Sequence, residues 1–448
     1  MAASSPGLRK LLRASTLYLG LLGMFAAGHL VSPQFLTLDN QRDVLWQVSG
    51  IGTIAIGMTL VILTAGIDLS VGSMLSLCSV VCAMLLTERG WTRATTLAAP
   101  SFALTCGLIA GAVVMAIRRG GRSKKGVRPD LCAAPSGPFG STELAEVRQI
   151  GSDPFFAWAI GLAAAGLAAL WAVRQVPHGF GVLGVLLVVP TVGLVLGGFC
   201  GAIIAKAKLQ PFIVTLALMV SAVGLARYTA GEGGAVRTVY MSEDAAPGTA
   251  PASFKSLAAN VGTIHMKETR RVDGKDVATV VPTKIIPVPG IFFAASAVLA
   301  WLLLNKLSIG RHIFAVGGNE EAGRLSGINT DRVKILVYGI CGMLSALAAV
   351  LYCAQYEQGK ADAGSGRELD AIAAVVIGGT SLMGGRGSIG GTVVGVFIFG
   401  YLSNILNLGG VSTEFQQILK GVIILLAVLL QEGILGRWIS GACRRVVG

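Results

Sequence analysis

Apolar runs long enough to cross a bilayer recur along most of the chain, and no other feature restricts its fold so strongly. Candidate spans cover residues 14–31, 44–65, 67–87, 94–117, 155–173, 181–205, 211–230, 286–305, 333–356, 369–383, 388–408 and 415–431, twelve apolar segments in all. A helix needs about twenty such residues to cross roughly 30 Å of hydrocarbon. Runs of about fifteen must tilt, break or lean on their neighbours. Backbone amides in lipid have to be bonded inside the structure, which leaves helices and closed barrels. A barrel would show short stretches of alternating polarity, whereas these runs are continuous. The chain is therefore expected to be an all-α polytopic membrane protein.

Composition agrees: 53% of the residues are hydrophobic and 13% are charged, against about 25% charged in a soluble domain. The 61 glycines include the pairs Gly107/Gly111, Gly197/Gly201 and Gly391/Gly395, a spacing that lets helix backbones approach closely. A net charge of +13 raises the question of nucleic acid. The basic residues instead gather in short blocks beside apolar runs, as expected of cytoplasmic loops, so no nucleic-acid partner is expected. Six of the eight cysteines lie in or beside apolar runs and none forms a CxxC pair. They are expected to be small buried side chains, and no metal site is expected.

Flanking charge orients the spans. Arg9, Lys10 and Arg13 precede the first run, which places the N-terminus inside. Threading onward puts the block from Arg118 to Arg128, then Lys206, Lys208, Lys306, Arg311, Arg324, Arg332 and Lys334 on the same side, with Arg437, Arg444 and Arg445 at the C-terminus. Both termini are thus expected in the cytoplasm. Residues 118–154 form a basic loop on that side. Residues 231–285 form a polar, proline-punctuated outward insert, in which Val277 to Thr283 allow a short hairpin.

The run from Gly310 to Asp331, GRHIFAVGGNEEAGRLSGINTD, cannot sit in hydrocarbon. Its helix formers Glu320, Glu321, Ala322, Arg324 and Leu325 stand between glycines, which predicts a short surface helix with breakers at both ends. Such an element can serve as a rigid handle for a soluble partner.

Catalytic signatures are missing from the sequence: there is no GxxxxGK[ST], HExxH or GxSxG. The run Gly385-Arg386-Gly387-Ser388-Ile389-Gly390 has dinucleotide spacing but joins two spans, so a tight inter-helix turn is expected there. Ionisable groups in or at the ends of spans are Asp68, Arg227, Asp370, Glu414 and Lys420. Asp68 stands in Thr64-Ala65-Gly66-Ile67-Asp68-Leu69-Ser70. Gly66 is expected to end one helix there, and Asp68 or Ser70 to cap the next. A helix broken in this way is tolerated at membrane depth only when buried or lining a cavity.

Four blocks carry a resemblance. GIDLSVGSMLSL (Gly66–Leu77), LQPFIVTLALMVSAVGLARYTAG (Leu209–Gly231), GRHIFAVGGNEEAGRLSGINTDRVK (Gly310–Lys334) and the stretch Ala371–Leu430 are similar, in order, to the permease subunits of bacterial ABC-type monosaccharide importers. The resemblance implies a bundle of about ten spans working with a second permease subunit, a cytoplasmic ABC ATPase and a periplasmic sugar-binding protein. It implies the inner membrane as location, and no cofactor on this chain, since ATP is used by the partner ATPase. The handle becomes the coupling loop, 306–332, with Gly318, Asn319, Glu320, Ala322, Arg324, Leu325 and Gly327 at the matching positions. Asp68, Ser70, Phe212 and Thr215 become the expected translocation path.

The expected division is 1–87 for the N-terminal spans, 88–180 for an inserted apolar helix pair with its basic loop, and 181–230 for the central spans. The outward insert 231–285 and the C-terminal spans 286–448 follow. The function implied is a non-enzymatic, ATP-driven permease for a pentose or hexose. A permease for a branched-chain amino acid or nucleoside, and an ion-coupled carrier, are the alternatives.

Overall fold

The computed structural model describes residues 6–122, 154–231, 236–242, 248–272 and 275–431. Most of the basic loop 118–154 and the C-terminal arginines therefore lie outside the described residues, as do Cys132 and Cys443. In chain order the helices are α1 (Pro6–Val31), α2 (Leu38–Leu63), α3 (Val71–Thr87), α4 (Arg93–Arg122), α5 (Pro154–Gln175), α6 (Val182–Ala207) and α7 (Pro211–Ala230). Short strands follow in the insert 231–285: β1 (Val236–Thr238), β2 (Tyr240–Ser242), β3 (Thr249–Pro251), β4 (Asn260–Val272) and β5 (Lys275–Pro287). The chain then runs through α8 (Val288–Asn305), α9 (Ser308–Gly318), α10 (Glu320–Leu325), α11 (Thr330–Tyr356), β6 (Gln358–Lys360), α12 (Arg367–Ile377), α13 (Ile389–Leu408) and α14 (Thr413–Gln431).

Helix ends follow local chemistry. Thr37, Ser388, Asn319 and Asn329 each accept a backbone N–H of the first turn of α2, α13, α10 and α11 respectively. Pro211 opens α7, where a missing N–H costs nothing.

The centre of the molecule is α11, packed along α6, α2 and α3. Glycines set these distances. A methyl on Gly193 would meet the carbonyl of Gly342, and one on Gly197 the carbonyl of Tyr338. Gly391 and Gly395 bring α13 onto Gly378 and Ala374 in the same way, and Gly107 seats α4 on Gly161 and Ala165 of α5. The expected small-residue contacts are thus present in all three places. The α4–α5 pair packs outside the central group, chiefly on α6. Polar ties add register: Asn40 and Asn404 exchange amide hydrogen bonds between α2 and α13, and the Tyr401 hydroxyl donates to Gln41 at 2.7 Å.

Among the described residues, seven helices are long and apolar enough to cross a membrane: α2, the Arg93–Val114 part of α4, α6, α7, α8, α11 and α13. Shorter apolar helices are Leu19–Val31, α3 and Ile160–Gln175. Twelve full-length spans are therefore not established. The expected span 369–383 is instead the eleven-residue α12 followed by a glycine loop, a rise of about 16 Å and so roughly half the hydrocarbon thickness.

The insert 231–285 holds a longer ribbon than the short hairpin expected. β4 and β5 pair antiparallel over thirteen residues each, from Asn260 opposite Pro287 to Val272 opposite Lys275. β1 pairs with β6, so the insert is also tied to the end of α11. Among the described cysteines, Cys78, Cys82, Cys200, Cys341 and Cys353 are buried and Cys106 is half-buried, all as free thiols.

Candidate functional site

The polar handle is a pair of short helices, α9 and α10, rather than one. Asn319 separates them with extended backbone and caps α10, its side chain accepting from the Ala322 N–H at 3.0 Å. Gly327, with φ of +82°, turns the chain toward α11 in a conformation that suits glycine. Glu320 does not face outward: it bonds Lys334 of α11 at 2.7 Å and Arg324 at 3.4 Å. Arg324 also reaches Thr330. These half-exposed ion pairs fix the angle between α10 and α11 more than they add stability. Leu325, by contrast, is 84% exposed at the end of α10. Gly318 and Ala322 are exposed beside it.

The inner edge of the handle rests on the end of α2. A Cβ on Gly317 would collide with the Leu63 carbonyl and the Gly385 nitrogen. That carbonyl accepts the Gly385 N–H at 3.0 Å. Gly384 and Gly385, both at positive φ, pack on Ala65, Gly317 and Gly318. The Gly385–Gly390 motif is therefore the tight turn expected, and it clasps the handle to α2.

The broken segment after α2 is built differently from its expected form. Ala65, not Gly66, takes the left-handed conformation, with φ of +59°. The Gly66 N–H reaches back to Val61 and the Ala65 N–H to Ile62, a helix-ending pair of bonds. Gly66 is small because the Tyr338 hydroxyl lies where its side chain would be. Ser70 does not cap α3 with its side chain. Both its N–H and its hydroxyl donate to Asp68 Oδ1, at 2.9 and 2.6 Å, so Asp68 braces its own turn. Asp68 is 1% exposed, and among the described residues its Oδ2 has no hydrogen-bond partner within bonding geometry. Of the expected path residues, Asp68, Ser70 and Thr215 do come together: the Thr215 hydroxyl lies 3.4 Å from the Ile67 carbonyl. Phe212 does not join them and stands 53% exposed on α7.

A cavity of about 320 Å³ lies toward the other end of the same helices, bounded by α2, α11, α12, α13 and α14. From Val48 in its wall to Leu63 at the handle the rise along α2 is about 22 Å. One wall is aromatic: Trp46 meets Tyr356 edge-on at 6.3 Å, and Tyr356 lies 4.6 Å from Tyr352. The Arg367 guanidinium sits over the Tyr352 ring at 5.6 Å. Deeper in, Lys420 contacts both Asp370 oxygens at 3.3 Å. Gln47, Gln355, Asn407 and Gln416 supply amides.

Asp370 and Lys420 are two of the five ionisable residues that the sequence places in or at the ends of spans, and the fold pairs them. The aromatic and amide positions carried no signal, because such residues are unremarkable near the ends of spans. Arg227 is exposed on α7, and Glu414 is exposed in the first turn of α14.

Residues 153–428, more than half the chain, match the family described as the permease component of branched-chain amino acid transport systems. The ribose import permease protein RbsC of Escherichia coli K12 is 34% identical over 415 residues, 92% of each chain. RbsC of Bacillus subtilis is 33% identical over 416 residues, covering 93% of this chain and 91% of its own length. The xylose transport system permease protein XylH of Haemophilus influenzae is 46% identical over a shorter 143 residues, 32% of this chain and 38% of XylH. No solved structure matches the chain.

Proposed function

This chain belongs to the family of permease components of branched-chain amino acid transport systems, and we propose that it is the membrane-spanning subunit of an ATP-driven ABC importer for a monosaccharide. It is a multi-pass membrane transporter rather than an enzyme, by the character of its relatives and its apolar helices. The pentose or hexose assignment is supported by the ribose and xylose permeases it is similar to. In this reading a cytoplasmic ABC ATPase spends the ATP, an exported sugar-binding protein delivers the solute, and a second permease subunit completes the pathway. This chain binds no cofactor, both termini face the cytoplasm, and the membrane is the bacterial inner membrane.

The observation that carries the reading is the handle. It is braced from within by Glu320 and Lys334, clasped to the end of α2 by Gly317 and Gly385, and tipped with the exposed Leu325. An ATPase groove that takes Leu325 can move α9–α10 as a body. The ends of α2 and α11 and the 378–388 loop must then follow. Co-purification with the ATPase tests this. Leu325→Asp is expected to lose the ATPase while the permease stays folded, because none of the described residues covers this side chain. Survival of the complex in Leu325→Asp removes the coupling assignment. Uptake that continues without the ATPase points instead to an ion-coupled carrier. The family description favours one second reading, a branched-chain amino acid as solute. Competition of labelled ribose uptake by xylose and not by leucine decides between them.

A further inference from the structure

We propose that the cavity beyond the aromatic wall is a solute-binding station of the permease itself, holding a neutral polyhydroxylated ring between Trp46, Tyr352 and the Asp370–Lys420 pair. The inference rests on the monosaccharide reading above and adds where, and with which atoms, this chain would hold the solute.

Three properties of the cavity lead there. Its size, about 320 Å³, is at the lower end of small-molecule sites and leaves room for one small ring. Its inner charges are balanced: Asp370 and Lys420 are both less than one-quarter exposed and already neutralise each other, while Arg367, over Tyr352, adds one positive charge to the lining. A charged group reaching the inner pair would have to break it, whereas hydroxyl groups can join it. A carboxylate oxygen accepts from a hydroxyl while the ammonium donates to its oxygen, so both charges keep their partners. Finally, several groups on the wall are uncommitted. The side chains of Gln47, Gln355 and Ser403 make no hydrogen bond among the described residues, and each can both donate and accept.

The aromatic wall completes the chemistry. The faces of Trp46 and Tyr352 carry negative quadrupole density and attract the weakly positive C–H edge of a sugar ring. Arg367 lies over Tyr352, and its remaining N–H groups are available to hydroxyls at the ring's rim. The bland explanation is that the ion pair merely ties α12 to α14. A largely buried charge pair that faces a polar cavity, rather than packing against apolar side chains, points more naturally to a solute path. The two explanations differ in what a charge exchange does.

The test uses the full chain with its ATPase in lipid nanodiscs and no binding protein, titrated with D-ribose, D-xylose and leucine by calorimetry or saturation-transfer NMR. Saturable binding of a sugar and none of leucine is expected. Trp46→Ala, chosen because it leaves the ion pair intact, is expected to weaken binding at least tenfold. The exchanged double variant Asp370→Lys/Lys420→Asp restores the tie between helices but inverts the groups presented. It is expected to keep the unfolding temperature and still lose the sugar. Wild-type affinity in Trp46→Ala, or in the exchanged variant, overturns the proposal. So does absence of saturable sugar binding to the unmodified chain, whatever uptake shows. Sugar uptake by the complete transporter, measured separately, reports on the importer reading: uptake without binding here sinks the station and leaves the importer standing.

Discussion

At residue scale, the segment after α2 concentrates unusual choices. Ala65 holds a left-handed conformation that costs a β-carbon-bearing residue about 1–2 kcal/mol. Gly66, which has the freedom to take that conformation, is used for space instead. Its partner Tyr338 is buried with an unbonded hydroxyl. Gly66→Ala should therefore lower stability by about 1–3 kcal/mol through overpacking. Tyr338→Phe alone should be nearly neutral, since no hydrogen bond is lost, and the double variant should recover most of the loss. Thermal unfolding of detergent-solubilised protein checks all three. A double variant no more stable than Gly66→Ala would show that the hydroxyl is not what the methyl meets. The sequence placed a helix break here correctly but chose the wrong residue, because no local signal marks an alanine at positive φ. What selects Gly66 lies more than two hundred residues away in α11.

At element scale, the packing of α6 on α11 rests on Gly193, Gly197 and Gly342. Gly197→Leu should separate the two helices and cost about 3 kcal/mol or more. Gly198→Ala, one residue on and facing open space, should be neutral or stabilising by up to about 1 kcal/mol. Expression and unfolding temperature of the pair distinguish a specific contact from a general intolerance of side chains on α6. The spacing of Gly197 and Gly201 announced a contact surface in the sequence. Its partner could not be read, since glycine pairs say nothing about which helix they meet.

The handle sharpens the same distinction. Its helix formers and flanking glycines were legible, whereas Asn319 was marked only by the resemblance and not as a cap. That Glu320 turns inward to Lys334 was not, because the pairing depends on the angle between α10 and α11. Gly317→Val should leave Leu325 presented and the ATPase bound, yet break the contact with Leu63. The expected result is a complex that hydrolyses ATP with solute uptake reduced at least tenfold. Normal uptake in Gly317→Val would mean that force does not pass through the end of α2.

At the scale of the whole molecule, the α4–α5 pair and the β4–β5 ribbon sit outside the helix group centred on α11. The α4–α5 pair leans on α6 from one side. The β4–β5 ribbon packs at its root on α2 and α8. An isolated two-stranded ribbon contributes little stability of its own. Replacing residues 264–283 by a tight turn should shift the unfolding midpoint by no more than about 3 °C, and a larger fall would show that the ribbon is structural. Apolar periodicity revealed the membrane class and most helices. It overcounted full crossings, because α12 ends after eleven residues at a glycine loop whose geometry is set by α2 and the handle. The cavity was illegible because its walls come from helices scattered between Trp46 and Lys420.

Cavity and handle occupy opposite ends of α2 and α11, joined also through α13 and the loop before it. Such an arrangement has a thermodynamic corollary that does not depend on the path of motion. If seating an ATPase on the handle changes the affinity of the cavity for its solute by some factor, occupancy of the cavity must change the affinity of the handle for the ATPase by the same factor. A permease loaded with solute would then hold its ATPase more or less tightly than an empty one. The two ends would each report the other's state in a measured dissociation constant.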